Sequence, residues 1–397
     1  MNRRFGSRHF YLLLAAGGLL VLVGLGAAHY MEENGHIVTG MNNQVVWGLP
    51  HVFAIFLIVA ASGVLNVASI GSVFGQAIYK PRARLSGLLC IAMLAGGMMV
   101  LMLDLGRPER VIVAATHYNL HSVFAWNVFL YSGMFAIVAL YLWTMFERPM
   151  NRHTKTVGIL ALAWRFVLTT GTGSIFGFLV ARQAYGSAML APLFIMLSFA
   201  WGLAVFLIVQ SALYAWQGEA LDDTAQRSMA RLLGVFVAAA FYFVLVLHLT
   251  SLYFAKQSAF QAFILRDGGV FPLLLWGGYL VFGTLVPLLM LFHPRFGGPR
   301  STLLASTLVA LGALAWLYVF IIGGQAFPLD IFPGFSASST FADGTIASYT
   351  PRLAEWLLGL GGIAVAFVLT AVGVRVLDFM PHDDLASLKP GIDKGAA

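Results

Sequence analysis

The segment richest in side chains that could do chemistry runs from Leu103 to Trp126 and reads LDLGRPERVIVAATHYNLHSVFAW. It connects two apolar runs and carries five candidate site residues, which are Asp104, Arg107, Tyr118, His121 and Trp126. Carboxylate and imidazole groups exchange protons, whereas guanidinium, phenol and indole groups donate hydrogen bonds. We therefore expect this segment to form the rim of an active surface.

Ionisable residues inside or at the ends of apolar runs are costly, and each is a candidate for function. Four of them come from different runs, which alternate in direction, and would lie near the same face of the membrane: His51, Asp104, His121 and His248. A quinone head group needs hydrogen-bond donors for its carbonyl oxygens, a proton acceptor with a pKa near neutral and an apolar slot. The clustering therefore predicts a quinone site at one face of a membrane.

Each of these residues also has a purely structural interpretation. His51 and His121 fit ordinary positions at a membrane surface, and Asp104 could cap its own loop or pair with Arg107. His248 could be a hydrogen-bonded core residue. Arg165 alone lies toward the other half of its run, where it could extend to the surface or serve a proton path together with His248.

Haem b is the alternative group that the histidines could bind. It would need two of them facing each other at equal depth on neighbouring helices, and His51 with His121 or His248 could supply such a pair. The apolar runs contain no second pair near the other end. The single cysteine, Cys90, excludes an iron–sulfur cluster, which needs about four thiolates. The residues alone therefore leave two alternatives for these histidines, a quinone site and haem b.

The composition predicts a polytopic membrane protein. Of the 397 residues 60% are hydrophobic and 10% are charged, with a mean hydropathy of +0.86, whereas soluble domains carry about 25% charged residues. The net charge of +7 is expected from basic loops at a membrane surface and does not argue for nucleic acid. The first apolar run lacks a small-residue cleavage site, so we interpret it as a retained helix.

Ten apolar runs are long enough to cross a hydrocarbon core of about 30 Å as helices. They lie near residues 10–30, 50–75, 85–104, 121–146, 157–181, 190–216, 229–255, 271–293, 301–323 and 353–378. The predicted fold class is therefore an all-α integral membrane protein. The run TTGTGSIFG from Thr169 to Gly177 lacks the Lys-Ser/Thr pair of a phosphate-binding loop, and close helix packing explains it better.

The basic residues predict the topology. Sixteen of the 23 Lys and Arg residues fall on the side of the N-terminus, six fall on the other side, and Arg165 lies within a run. Basic residues mark cytoplasmic loops, so both termini are predicted to be cytoplasmic and the segment Leu103–Trp126 to face outward. The connection from Gly323 to Arg352 is predicted to be an outer lid or docking loop, and residues 380–397 a cytoplasmic tail.

The stretch LDLGRPERVIVA, followed by SVFAWNVFLYSG, resembles the NrfD/PsrC family of polysulfide-reductase-type membrane subunits. The motif Asp-Leu-Gly-Arg-Pro and the histidine-led run HVFAIFLIVAASGVLNVAS carry the resemblance, which covers essentially the whole chain. Ten helices resemble the longer branch of the family. Within it, the stretches GLPHVFAIF…NVASI and YKPRARLSGLL look most like DsrP, the subunit that accompanies dissimilatory sulfite reductase in the DsrMKJOP complex.

The resemblance implies two four-helix bundles, at residues 50–181 and 190–323, with one extra helix at each end, at residues 10–30 and 353–378. It also implies that the subunit binds menaquinone or ubiquinone near the periplasmic face, beside a docked ferredoxin-like iron–sulfur subunit. This chain itself would then carry no haem, iron–sulfur cluster or other redox metal. His51 and the segment Asp104–Arg107 would border that pocket. The other three candidates rest on local reasoning alone: Tyr118, His121 and Trp126.

We therefore predict a quinone-binding subunit of a multi-subunit respiratory or sulfur-metabolism redox complex in the bacterial inner membrane. It would exchange electrons between the quinone pool and the periplasmic iron–sulfur subunit, alongside cytochrome b, cytochrome c and cytoplasmic iron–sulfur subunits. A second hypothesis adds proton movement across the bilayer through Arg165. The alternative class is a structural anchor or a transporter, although transporters place their polar groups near the midplane, whereas here they gather at one face.

Overall fold

Ten long apolar helices dominate the computed structural model, which describes residues 3–296, 298–329 and 344–380. They are α1 (Arg8–Asn34), α2 (Leu49–Ser72), α3 (Ala77–Leu103), α4 (Val123–Phe146), α5 (Arg148–Gly177), α6 (Leu190–Gln217), α7 (Asp223–Tyr253), α8 (Val270–Phe292), α9 (Pro299–Ala326) and α10 (Leu353–Val376). Each is long and apolar enough to cross a membrane. The predicted all-α membrane fold with ten spans is confirmed.

Shorter helical segments join or interrupt the spans. The 3-10 turn Arg3–Gly6 precedes α1. Between spans lie the α-helices Val111–Thr116 and Ala255–Ala262, the 3-10 turns His36–Val38, Pro108–Arg110 and Pro294–Phe296, and the π-helical segment Phe263–Asp267. Within α8 and α9 the π-helical segments are Leu274–Leu285 and Val319–Gly323. Pro287 lies two residues after Leu285, the last residue of the π-helical part of α8. Proline has no N–H and therefore interrupts the backbone hydrogen bonds of a helix. The π-helical hydrogen-bond pattern before it accommodates this interruption.

The spans pack as two rings of four helices. In the first ring α2 contacts α3, α3 contacts α4, α4 contacts α5, and α5 returns to α2; α6 to α9 repeat the pattern. The contacts of α6 with α2 and α5 join the rings, whereas α10 packs on α3 and α2 and α1 packs on α10. Consequently α2 is the central helix, with 94% of its most apolar stretch buried.

Glycines permit the closest crossings between spans. At the crossing of α2 and α6, a Cβ atom on Gly63 would lie 1.6 Å from the carbonyl oxygen of Ser198, and one on Gly202 would lie 2.3 Å from the carbonyl carbon of Gly63. At the crossing of α1 and α10, a Cβ atom on Gly24 would lie 2.9 Å from the Cα atom of Gly361. Small residues that let backbones approach are the usual means by which membrane helices associate.

The two ends of the bundle are called the N-terminal face, at which α1 begins, and the opposite face, at which α1 ends. The predicted lid and the predicted tail fall largely on residues 330–343 and 381–397, which lie outside the described residues. The part of the lid connection that is described packs at the opposite face, where the side-chain amide of Asn42 donates to the carbonyl of Ser348 at 3.2 Å.

Candidate functional site

His51 and Asp104 meet at the opposite face. Nδ1 of His51 lies 2.6 Å from Oδ2 of Asp104, and the two side chains are 12% and 1% exposed. His51 lies in the first turn of α2 and Asp104 directly follows α3, so the packing of these two helices sets the distance. A carboxylate at Nδ1 keeps the proton on that nitrogen, which leaves Nε2 as a proton acceptor.

The residues before His51 explain why α2 begins at this point. Gly48 is the N-cap and Pro50 lies in the first turn, where the fixed φ of proline suits a helix start and its missing N–H removes no bond. A Cβ atom at position 48 would lie 2.5 Å from Oε1 of Glu355. Glycine is therefore required where the chain enters the helix.

A buried carboxylate holds the segment that leads into α2. Glu355, in the first turn of α10, is 0% exposed. Its Oε2 accepts hydrogen bonds from the N–H groups of Gly40 and Arg352 at 2.8 Å each, and its Oε1 accepts one from the hydroxyl of Tyr349 at 2.6 Å. The Tyr349 hydroxyl in turn accepts from the N–H of Leu49 at 2.6 Å. Burial and the adjacent Glu355 raise the pKa of Tyr349 above its ordinary value, so the phenol remains a donor.

A second set of hydrogen bonds holds Trp47. Gln325, near the end of α9, is 1% exposed, and its Oε1 accepts from the N–H groups of Val46 and Trp47 at 3.0 Å each. Its amide nitrogen donates to the carbonyl of Trp47 at 3.0 Å. The guanidinium of Arg182 donates to the carbonyls of Gln325 and Gln44 at 2.9 Å each. Both rings of helices therefore contribute to the position of this indole.

Aromatic rings, called the aromatic wall, lie beside the contact of His51 with Asp104, which is called the ion pair because protonation of the imidazole makes it one. The indole of Trp47 stacks on the imidazole of His51, with ring centroids 5.8 Å apart and an interplanar angle of 20°. Phe124 and Phe176 pack edge-on against the same indole at 6.1 and 5.6 Å. Phe176 is buried, but Phe124 is 48% exposed at the start of α4. The wall therefore reaches from the bundle interior to its outer surface.

Asp104 contacts two histidines and no arginine among the described residues. Besides the contact of its carboxylate with His51, its backbone carbonyl lies 3.2 Å from Nε2 of His36. Arg107, predicted to border the pocket, is exposed and makes no described ion pair with Asp104. The backbone at Arg107, with φ −147° and ψ 75°, lies outside the α region, as the ring of the following Pro108 requires.

The other three predicted site residues lie on the surface around the start of α4. The ring of Tyr118 packs edge-on against Phe129 at 4.5 Å. The indole N–H of Trp126 donates to the carbonyl of Leu120 at 2.6 Å, and His121 is exposed two residues before α4 begins. None of the three makes a described contact with the ion pair.

The two residues predicted for a proton path lie in different helices. Arg165 in α5 is 3% exposed, and its guanidinium donates to the carbonyl of Ser62 at 3.2 Å and lies 5.2 Å from the ring centre of Phe166. No described carboxylate pairs with it. In α7, Nδ1 of His248 lies 2.9 Å from the side-chain oxygen of Gln261, and its Nε2 is buried without a described partner. The structure therefore does not bring these two residues together.

Sequence reasoning missed several residues that build the site. His36 and Trp47 lie in the loop before α2, and Trp47 precedes His51 by one helical turn, a spacing that could have indicated it. Gln325 and Tyr349 carried no signal of their own. Within the described residues, no group of three or more His, Cys, Asp or Glu side chains could hold a metal ion.

Comparison with known proteins adds an independent finding to this geometry. Residues 37–329 match the family model described as "Polysulphide reductase, NrfD". The chain belongs to the NrfD family. The resemblance carried by the Asp-Leu-Gly-Arg-Pro motif is confirmed at this level. In this NrfD chain the ion pair and the wall residue Trp47 lie inside the matched segment, whereas Glu355 and α10 lie beyond it.

Relatives of this NrfD chain match it along most of their length. The Hdr-like menaquinol oxidoreductase integral membrane subunit of Archaeoglobus fulgidus is 30% identical over 370 residues, which is 92% of either chain. A putative dimethyl sulfoxide reductase membrane subunit of Halobacterium salinarum is 25% identical over 90% of this chain and 89% of its own. A selenate reductase subunit of Mesobacillus selenatarsenatis is 20% identical over 90% and 92%.

Proposed function

We propose that this chain is the quinone-binding membrane subunit of a multi-subunit oxidoreductase, with its quinone site at the opposite face. The observation that carries the proposal is the buried 2.6 Å contact of His51 with Asp104 beside the stacked indole of Trp47. It combines a proton acceptor, a fixed charge and an apolar wall, which a quinone head group requires. One relative is named a menaquinol oxidoreductase subunit, which favours menaquinone over ubiquinone.

The ion pair supplies the proton chemistry of quinol oxidation. Loss of two electrons from a quinol releases two protons. Nε2 of His51 accepts a proton from a quinol hydroxyl, and the carboxylate of Asp104 stabilises the imidazolium that forms. After this proton passes to the opposite face, the same pair accepts the second one. An iron–sulfur group of a partner subunit would supply the acceptor for the two electrons, and for quinone reduction the same two side chains would return the protons.

The partner would dock on the segment between α3 and α4. In the short helix Val111–Thr116 of this segment, Ile112 is 71% exposed and Val113 is 55% exposed; Leu120, after the helix, is 72% exposed. Exposed apolar side chains of this kind mark an interaction surface. The four remaining candidates would then form the covered rim of the site: Arg107, Tyr118, His121 and Trp126. The excess of basic residues at the N-terminal face supports a cytoplasmic position for both termini, and thus a periplasmic partner in a bacterial inner membrane.

The assignment to sulfur metabolism is narrower than the family. It rests on the resemblance of two stretches, GLPHVFAIF…NVASI and YKPRARLSGLL, to DsrP. Cytochrome b, cytochrome c and cytoplasmic iron–sulfur partners follow from the same resemblance. Purification of the complex from its native membrane, followed by mass spectrometry of its subunits, tests this part of the proposal.

Binding of the fluorescent quinone analogue 2-heptyl-4-hydroxyquinoline N-oxide to the intact complex tests the site. We expect His51→Ala to weaken its Kd about tenfold, since one hydrogen bond to a buried ionisable group is lost. His29→Ala is the matched control, because His29 also pairs with a carboxylate at this face, Glu33 at 3.2 Å, but is 69% exposed. Equal Kd values in the two variants would contradict the proposal. A Soret absorption band would instead support haem b.

A second candidate function, proton translocation, is favoured by the distribution of polar residues along α2. The ten residues from Val52 to Ala61 are all apolar, but polar side chains follow toward the N-terminal face: Ser62, Asn66, Ser69 and Ser72. Spacings of three and four residues place them on one side of the helix. The hydroxyl of Ser62 lies 2.7 Å from that of Thr169, one turn from Arg165. A polar row therefore leads from the N-terminal face to Arg165.

Proton uptake by the complex in proteoliposomes tests this function. We expect Arg165→Leu to reduce the number of protons moved per electron while quinol turnover stays within about twofold, because Arg165 is remote from the ion pair. Arg165→Lys, which retains the charge, should preserve most of the coupling. A proton-to-electron ratio that is unchanged in Arg165→Leu would exclude this function.

A further inference from the structure

A basic cavity of about 560 Å³ opens at the N-terminal face between α7, α8 and α9. Arg227, Arg231 and Arg295 line it together with His293. The first two arginines lie one turn apart at the start of α7, and the other two residues belong to the connection between α8 and α9. Three guanidinium groups around one cavity favour a phosphate ligand, since each can donate two parallel hydrogen bonds to phosphate oxygens.

The floor of the cavity adds an independent observation. Gln226 lines the cavity and is 4% exposed, and neither its side-chain oxygen nor its nitrogen has a hydrogen-bond partner among the described residues. Buried polar groups nearly always have a partner, so this amide indicates a polar ligand that reaches the floor. The N-terminus of α9 also borders the cavity at Gly298 and has no side-chain cap. Its partial positive charge attracts the same kind of ligand.

Few of the described carboxylates pair with the arginines that line the cavity, so most of the positive charge of these arginines is available to a ligand. Arg227 pairs with Asp223 at 3.6 Å on the surface, but no described carboxylate pairs with Arg231 or Arg295. A larger cavity at the same face, of about 900 Å³, differs in this respect, because acidic residues line it beside its single arginine. Of these two cavities, the one at α7, α8 and α9 is therefore the one with an excess of positive charge.

The position of the cavity favours a phospholipid over a soluble phosphate compound as its ligand. It lies at the end of three membrane spans, and the α8 residues Leu289 and Phe292 next to it are 63% and 53% exposed on one side of that helix. Apolar surface directly beside a basic pocket suits acyl chains below a headgroup, and such pockets between spans bind anionic lipids. We propose that this cavity binds the phosphate of an anionic phospholipid whose acyl chains lie against α8.

Lipid titration of the purified full-length chain in detergent, followed by native mass spectrometry, tests the proposal. We expect dioleoyl phosphatidylglycerol to bind more tightly than dioleoyl phosphatidylcholine. Each arginine near such a phosphate contributes about fivefold to affinity, so Arg231→Gln with Arg295→Gln should weaken phosphatidylglycerol binding about 25-fold. Arg148→Gln with Arg152→Gln is the control, because it removes the same charge from exposed positions at the same face and should not change the Kd.

Three outcomes would overturn the proposal: equal affinity for the two lipids, equal affinity in the two double variants, or displacement of phosphatidylglycerol by inorganic phosphate at matched concentrations. The last outcome would assign the cavity to a soluble phosphate compound. If Arg231→Gln with Arg295→Gln fails to fold, the single variants serve instead, each with an expected loss of about fivefold. The proposal does not depend on the quinone site, since the variants lie at the other face of the membrane.

Discussion

Replacing Asp104 by asparagine should lower quinol turnover by the assembled complex by a factor of about 10²–10⁴, the contribution of a positioned acid–base group. The side chain is 1% exposed and lies 2.6 Å from Nδ1 of His51. An amide N–H at this place donates to Nδ1 and drives the imidazole proton to Nε2. The variant would then present a donor where the wild-type chain presents a base, and it would lose the charge that stabilises the imidazolium.

The measurement is the steady-state oxidation of a quinol analogue at equal complex assembly. Glu33→Gln is the matched control, because Glu33 pairs with His29 at the same face but is 65% exposed, and its turnover should equal that of wild type. If the pair acts as a unit, Asp104→Asn should add little to the loss already caused by His51→Ala. Unchanged turnover in Asp104→Asn would place the chemistry elsewhere in the complex.

Replacing Glu355 by alanine should cause the largest loss of stability among single changes near the site. The carboxylate accepts from Gly40, Arg352 and Tyr349 in three partly buried hydrogen bonds, and at about 1 kcal/mol for each bond their loss costs about 3 kcal/mol in total. Because Tyr349 and Gly40 also hold the entry into α2, the quinone-analogue Kd should rise although Glu355 does not border the aromatic wall.

Thermal unfolding of the purified chain measures the stability change, and protease cleavage within residues 35–48 reports release of the loop. Glu355→Gln keeps one acceptor, the side-chain amide oxygen, and should lose less stability than Glu355→Ala. Glu32→Ala, which removes an exposed carboxylate at the end of α1, should leave both the unfolding temperature and the cleavage rate unchanged. Equal behaviour of Glu355→Ala and Glu32→Ala would exclude the anchoring role.

The number and order of the spans could be predicted from hydropathy because each membrane helix requires an apolar run of about 20 residues. Helix starts are harder to predict. Hydropathy places the seventh run near 229–255, but α7 begins at Asp223, where Asp222 accepts from the N–H groups of Thr224 and Ala225. This polar first turn extends beyond the hydrocarbon core, so apolar character could not reveal it, whereas the capping residue could.

The ion pair itself was within reach of the sequence. Consecutive spans run in opposite directions, so the start of α2 and the end of α3 must lie at the same face, and both carry an ionisable residue. The residues that orient the pair were not within reach. Gly40 and Glu355 are 315 positions apart, and Val46 and Gln325 are 279 apart. Such contacts depend on how the rings and the terminal helices assemble, which no local pattern records.

The role of Glu355 sets an order of events for biosynthesis. The chain emerges from its N-terminus, so α2 and α3 are complete long before α10 is made. Until α10 arrives, the loop before α2 lacks the carboxylate that holds the N–H of Gly40 and the phenol of Tyr349. The aromatic wall and the ion pair therefore reach their final geometry only when the last span has inserted. A partner that recognises the finished site can therefore bind only after α10 is in place.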